Sequence, residues 1–311
     1  MELNATELNS IDCRIIILGA NGMLGKYISK LYHSEKHANT HLKEIIEVTR
    51  EDFDFGQSTE IVFGYLSQLC LENDLIINCI GMTNKRESVT TEQELQFWRV
   101  NTVLPRLIGQ VTEKNKAYAI HITTDCVFDG KEPWMCRTDP HTSIDLYGMT
   151  KSMGDKSVSP YKRVALIRCS IIGEEPYNRS LVEWVLNQPD GSEINGYKNH
   201  MWNGVTCLHL AKLIFIGGYG FGTENVVTCD SAVSKYDLVC SIVKNYGLNI
   251  KVKESHDSKD CFRQLTPTLK IGIPIQQQIL EMKNFDVLGR NSCTRIICCI
   301  CPVVTPPIVL S

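Results

Sequence analysis

Four unbroken apolar runs, each about the length of a buried strand, recur along the first half of the chain: "CRIIIL", "EIIEV", "LIIN" and "YAIHI". Between them lie stretches in which apolar residues return every three or four positions, as in "MLGKYISKLY" and "FWRVNTVLPRLIGQVTEKN". Runs that are apolar on both sides of the pleat cannot face water, so they belong to a sheet covered on both faces. Their alternation with helical patterns predicts parallel strands joined by crossover helices. Helical spacing resumes around Tyr147, and "KRVALIRCSII" supplies a further strand. After Gly173 the pattern loosens: strand-like "NVVTCD", the helix "SKYDLVCSIVKNYG" and strand-like "IKVKES" are spread more widely. The pattern therefore predicts one regular α/β unit over 12–173, a smaller α/β portion over 174–288, and an atypical tail over 289–311.

Composition narrows the class. With 311 residues, 43% of them hydrophobic and 22% charged, the chain has the balance of a globular protein with a sizeable core. A formal net charge of -3 gives no electrostatic basis for partnering nucleic acid or an anionic membrane, and neither is expected as a partner. Any phosphate must then be held locally. The opening residues "MELNATELNSIDCR" contain no apolar core of leader length. The 14 cysteines sit largely in apolar runs, such as Cys79 in "LIINCIG" and Cys169 in "ALIRCS", where a free thiol acts as a small hydrophobe. Ahead of the tail no two of them form a C-x-x-C pair. A reducing compartment, the cytoplasm, is the expectation. The tail "CTRIICCICPVVTPPIVLS" is too short and too interrupted by proline to span a bilayer. Cys298, Cys299 and Cys301 lack a second ligand set with suitable spacing, so no metal is expected there.

The first turn reads Gly19-Ala20-Asn21-Gly22-Met23-Leu24-Gly25. Glycines at this spacing, after the first strand and at the opening of the first helix, let the backbone approach a pyrophosphate that the helix N-terminus can hold. That context predicts a dinucleotide-binding, Rossmann-type doubly wound sheet. Where such folds place a ribose-binding carboxylate, this second strand ends Val48-Thr49-Arg50. A guanidinium there suits a 2′-phosphate and a carboxylate would repel it, so NADP(H) is expected ahead of NAD(H). Asp54 is the expected partner of the adenine amino group.

Thr123, Thr124 and Asp125 fall at the carboxyl end of the "YAIHI" strand, the edge along which open α/β sheets bind ligands. About twenty residues on, "DLYGMTKSMGD" puts Tyr147 and Lys151 four apart, on one helical face. Behind a dinucleotide cradle the three groups make a carbonyl-reduction site. Tyr147 would donate the proton, Lys151 would lower the phenol's pKa and bind the nicotinamide ribose, and Thr124 would polarise the carbonyl.

The sequence resembles an extended short-chain dehydrogenase/reductase, and within that superfamily the dTDP-4-dehydrorhamnose reductase family. The segments that carry this are "GANGMLG", "INCIG", "VNTVLP", "TTDCVFDG", "DLYGMTKSMGD", "IRCSIIG" and "SLVEWVLNQ…GYKNHMWNGVTCLHLAKLI". The resemblance implies NADPH-dependent reduction at C4 of a nucleotide-diphosphate 4-keto-6-deoxysugar, for deoxysugar biosynthesis. It implies Thr124, Tyr147 and Lys151 as the catalytic triad. Cofactor contacts are implied for the glycine loop (Gly19, Asn21, Gly22, Met23, Leu24, Gly25), for Asn78, Cys79 and Gly81 at the third strand's end, and for Asn101, Tyr147 and Lys151. Substrate contacts are expected at Thr83, Asp125 and Cys126. Others should come from the C-terminal portion, with Arg168, Asn178, Lys198, Asn199 and Asn203 as candidates. A homodimer is one option for the assembled state.

Three departures stand out. Cys126 occupies a position where the family often has tyrosine. "GYKNHMWNG" looks as much like the branch acting on UDP-linked, including 2-acetamido, sugars. The chain after Leu288 does not resemble the family's usual end. Two alternatives remain: an epimerase or dehydratase on the same fold, and a non-catalytic regulatory subunit that kept the dinucleotide site. Asp125 followed by Cys126 lacks the carboxylate pair of a dehydratase, and retention of Tyr147 and Lys151 weighs against a non-catalytic role. His33, His37 and His41 recur every four residues, but "ANT" interrupts the helix they would need, so they are not expected to hold a metal. Glu87, Glu92 and Glu94 read as a solvated loop and helix start. Neither G-x-S-x-G nor H-E-x-x-H occurs.

Overall fold

The computed structural model describes residues 13–35, 42–83, 89–217 and 219–290. In chain order, β1 (Cys13–Leu18) turns into α1 (Met23–Glu35), followed by β2 (Leu42–Val48), α2 (Thr59–Leu69), β3 (Leu75–Asn78) and α3 (Thr91–Trp98). A single π turn (Arg99–Val103) joins α3 to α4 (Leu104–Asn115). Then come β4 (Tyr118–Thr124), a 3-10 turn (Asp125–Val127), α5 (Leu146–Val158), β5 (Val164–Cys169) and β6 (Ile171–Ile172). The remainder is α6 (Leu181–Leu186), β7 (Glu193–Tyr197), β8 (His200–Trp202), β9 (Val205–Thr206), α7 (Cys207–Ile216), β10 (Glu224–Cys229) and β11 (Val233–Ser234). It closes with α8 (Lys235–Tyr246), β12 (Lys251–Ser255), β13 (Cys261–Arg263), β14 (Leu269–Ile271) and α9 (Ile275–Phe285).

Seven strands form the main sheet in the order β2-β1-β3-β4-β5-β10-β14, and every pair in it is parallel. The period of two sends Ile15 and Ile17 of β1 to one face and Ile16 and Leu18 to the other. The first pair packs with Tyr27, Ile28, Leu208 and Ile279, the second with Val62, Leu66, Leu107 and Val111. Both faces are thus buried, the doubly wound arrangement the strand runs predict. The order turns back at β1, which lies between β2 and β3, and such a switch point opens a crevice at the strands' carboxyl ends.

The sheet draws its last two strands, β10 and β14, from the C-terminal portion of the chain. Three small sheets, β11-β8-β13, β12-β7 and β6-β9, make up much of the remainder. The cysteine-rich segment after Arg290 lies outside the described residues, as do His37, His41 and Glu87. Among the described residues no helix is long and apolar enough to cross a membrane.

Candidate active site

The turn from β1 to α1 works only with its glycines. Gly19 has φ +84°, and a Cβ there would stand 2.9 Å from Ile80 Cγ1. At Gly25 a Cβ would come within 2.2 Å of the Gly19 carbonyl oxygen, so helix and loop pack backbone against backbone. Gly19 N–H and Ala20 N–H both donate to the Val48 carbonyl, at 2.8 and 3.2 Å, which ties the loop to the end of β2. Met23 begins α1, and Leu24 is buried beneath the turn.

Along this loop runs a cleft of about 390 Å³. Gly19, Asn21 and Gly22 form one wall, Thr49, Arg50 and Asp54 the end beyond β2, and Cys79, Gly81 and Thr83 the opposite wall. Tyr177 and Arg179 stand at its lip. The Arg50 side chain is 86% exposed, and its nearest carboxylate is that of Asp54 at 3.9 Å. Asp52, Glu47 and Asp54 each have hydrogen-bond partners of their own. Asp52 accepts from Thr49 N–H and Oγ1–H, bonds that hold its carboxyl below the usual range. Glu47 binds Ser29 and His33, and Asp54 caps Gly56 N–H. A cradle that a Cβ would fill, beside an exposed guanidinium only loosely paired with Asp54, fits a dinucleotide.

The end of β3 is fixed from below. Asn78, fully buried, joins His121 Nδ1 at 3.0 Å and accepts from Ile80 N–H. Burial keeps His121 neutral, its pKa well below the ordinary value, and its Nε2 has no partner. Asn101, in the π turn, brackets Met82 by accepting from its N–H and donating to its carbonyl, both at 2.9 Å, and also donates to Thr150. The structure therefore gives Asn101 the job of holding the β3–α3 loop and α5 in register.

The groups read as catalytic come together where β4 ends. Asp145 caps α5 by accepting from Gly148 N–H, which aims the first turn of that helix at the strand end. The Thr124 hydroxyl lies beside the Tyr147 phenol and favours its ionised form. Thr124 Oγ1 also donates to Asp125 and accepts from Cys126 N–H, capping the 3-10 turn. One turn on from Tyr147, the buried Lys151 ammonium donates to the Ile122 carbonyl at 2.9 Å. Burial lowers its pKa to about 8, against the opposing pull of Asp155. Burial also pushes the Tyr147 phenol above its ordinary value, and the contact with Thr124 works the other way. The depression of the phenol by Lys151 is not apparent here, with the ammonium held by the strand. Cys126 is pushed up to about 12, chiefly by burial and then by Asp125, so it stays a thiol.

The candidates from the C-terminal portion behave differently. Asn203 uses both ends of its amide on Leu265, donating to its carbonyl at 2.8 Å and accepting from its N–H at 3.0 Å. Asn199 staples the loop at 257–260. Lys198 pairs with Asp237 at 3.3 Å and lies over the Tyr236 ring. Asn178 accepts from Asn187 and lines a separate cleft with Glu174 and Lys283. Arg168, expected at the sugar, is 1% exposed; it binds Asp155, Glu224 and the Thr124 carbonyl, so its fork is committed inside the protein. Arg263, unremarked in the sequence, carries a positive charge to the neighbourhood of Cys126 and Asp125 while donating to the Phe128 carbonyl. Only its strand-like neighbours "CFR" marked it, and they gave no hint of that approach.

A dinucleotide fold with a tyrosine and lysine four apart behind a strand-end threonine defines a class, the extended short-chain dehydrogenases/reductases. Within it, residues 13–193 match the RmlD substrate binding domain, and the chain belongs to that family. A dTDP-4-dehydrorhamnose reductase of Mycolicibacterium smegmatis is 25% identical over 158 residues, 50% of this chain and 44% of its own length. The chain thus spans less than half of that relative. Methionine adenosyltransferase 2 subunit beta of Rattus norvegicus is 23% identical over 263 residues, covering 79% and 76%. In fold, the chain is like the dTDP-4-dehydrorhamnose reductase of Bacillus anthracis solved in complex with NADP: TM-score 0.71, 17% identity, 87% and 98% coverage.

Proposed function

We propose that the chain is an oxidoreductase that uses NADPH to reduce the C4 keto group of a nucleotide-diphosphate 4-keto-6-deoxysugar. The observation that carries this is the placing of the Tyr147 phenol beside Thr124, one helical turn from the buried Lys151, at the sheet edge that also forms the glycine-lined cleft. When bound, the dinucleotide supplies the hydride. The glycine loop holds its pyrophosphate against the α1 N-terminus, and Arg50 holds the 2′-phosphate. Thr124 Oγ1–H, once turned from Asp125, orients the carbonyl oxygen. Tyr147, kept protonated by its burial, donates the proton as charge develops there. Lys151 stabilises the phenolate left behind once its ammonium shifts from the Ile122 carbonyl. Thr83, Asp125 and Cys126 face the sugar, and the portion over 174–288 closes that side. A homodimer is the assembly to look for.

A second reading, a non-catalytic subunit that binds the dinucleotide, rests on the relatives named as subunit beta, which match 79% of the chain where a relative named as reductase matches 74%. One experiment separates the two. A panel of dTDP- and UDP-linked 4-ketosugars is mixed with the protein and either NADPH or NADH, and absorbance of the reduced nicotinamide is followed. Loss of absorbance with one substrate supports the reductase. Cofactor binding without turnover on any of them rejects it in favour of the subunit.

A further inference from the structure

A larger cleft, about 490 Å³, lies away from the glycine loop, near the amino-terminal ends of β5 and β10 and the last turns of α5. Ligand sites of open α/β sheets ordinarily sit at the opposite edge, so nothing in the proposed reaction uses this one. Its size is within the range of small-molecule pockets. Val158, Tyr161, Val164 and Leu166 give it apolar walls. Its polar end is formed by Asp155, Glu224 and His141, three groups gathered around Arg168.

The charges at that end are unevenly satisfied. Arg168 has committed its Nε to Glu224 at 2.5 Å, its Nη2 to Asp155 at 2.9 Å and its Nη1 to the Thr124 carbonyl at 2.8 Å. His141 is engaged on both ring nitrogens, by Ser152 and by Arg168. Asp155 is 5% exposed, yet its Oδ1 has no hydrogen-bond partner, and a buried carboxylate oxygen left so is costly. Glu224 has one oxygen on Arg168 and keeps its side chain 18% exposed. Asp139 and Lys156 also line the cleft, so three carboxylates stand against Lys156 and an arginine already taken, and an anion entering here would meet an excess of negative charge. A neutral apolar molecule would fill the walls and leave the acceptors unmatched. An ammonium on an apolar body satisfies both ends.

We propose that this cleft is a second ligand site, which takes a small organic amine with its ammonium between Asp155 and Glu224 and its apolar body against Tyr161 and Leu166. The assignment is independent of the reductase reading. The test uses the full chain and three probes of one shape, benzylamine, benzyl alcohol and benzoate, titrated calorimetrically at neutral pH with and without saturating NADPH. Benzylamine is expected to bind at about millimolar or tighter, roughly tenfold better than the alcohol, with no binding of benzoate and no displacement by NADPH. Ser159→Trp, at the exposed rim, should weaken benzylamine at least tenfold. So should Glu224→Gln, which keeps an acceptor for Arg168 but removes the charge. Circular dichroism and NADPH affinity should not change in either variant. Equal affinity for the three probes, displacement by NADPH, no benzylamine binding at about 10 mM, or binding unmoved by both substitutions would each overturn the assignment.

Discussion

The carboxyl edge of the main sheet and the small sheets of the C-terminal portion handle polar side chains differently. At the sheet edge Asn78 and Asn101 take up the backbone groups left over beyond β3, so Arg50 stays exposed and Thr124 and Tyr147 lie side by side across a strand end and a helix start. Around β8 and β13 the strands are three residues long and leave backbone groups over. Asn203 and Asn199 take up those groups, and their amides are consumed by Leu265 and by the loop at 257–260. Short irregular sheets need side chains as structural hydrogen-bond partners; the edge of long parallel strands leaves some of them for chemistry.

The sharpest way to break this contrast is a pair of substitutions with opposite signatures. Tyr147→Phe should cut turnover by about a hundredfold or more, the scale of a positioned proton transfer, while thermal unfolding and NADPH affinity stay close to wild type. Unchanged turnover would remove Tyr147 from the acid role. Asn203→Ala should do the reverse, destabilising the fold by about 1–3 kcal/mol through two orphaned backbone groups at Leu265. The sugar-nucleotide KM of the surviving protein should hardly move. A large KM change without loss of stability would return Asn203 to the substrate.

Arg50→Ala should lower NADPH affinity by roughly tenfold or more and leave NADH little affected, because only the 2′-phosphate would lose a charged partner. Equal losses by fluorescence titration would mean that Arg50 does not read that phosphate. The smallest expected effect is on pH. Lys151 titrates near 8 in the fold against an ordinary 10.5, so between those values the unfolded chain binds more protons and stability rises with pH. The melting temperature of the wild type, minus that of Lys151→Met, should therefore climb from about pH 8 towards 10.5. A difference that stays flat or falls would mean the ammonium is not buried as described.

Much of this was legible along the chain, for a local reason. The glycine turn, the strand-end threonines and the Tyr147–Lys151 spacing are set by contacts a few residues apart, and the structure brings them to one edge. Arg168 shows where local reading stops. An arginine in the strand run "VALIRC" looks like a charge awaiting a ligand, but its partners are Asp155, 13 positions before it, and Glu224, 56 after. The same distance hid Arg263, which reaches Asp125 and Cys126 from far along the sequence. The helical run "FWRVNTVLP" was legible as helix, but not its widened turn. That turn places Asn101 against α5, where a Cβ at Gly154 would sit 2.1 Å from its carbonyl oxygen.

The late arrival of two strands sets a timetable for synthesis. When a ribosome has made the chain as far as Cys169, the nascent sheet ends in β5 with one backbone edge bare, and 54 more residues must emerge before Glu224 begins to cover it. Open strand edges recruit other chains, so that interval is when the newborn protein is most exposed to mispairing. A fragment cut at residue 173 would keep the nucleotide turn and never escape that interval.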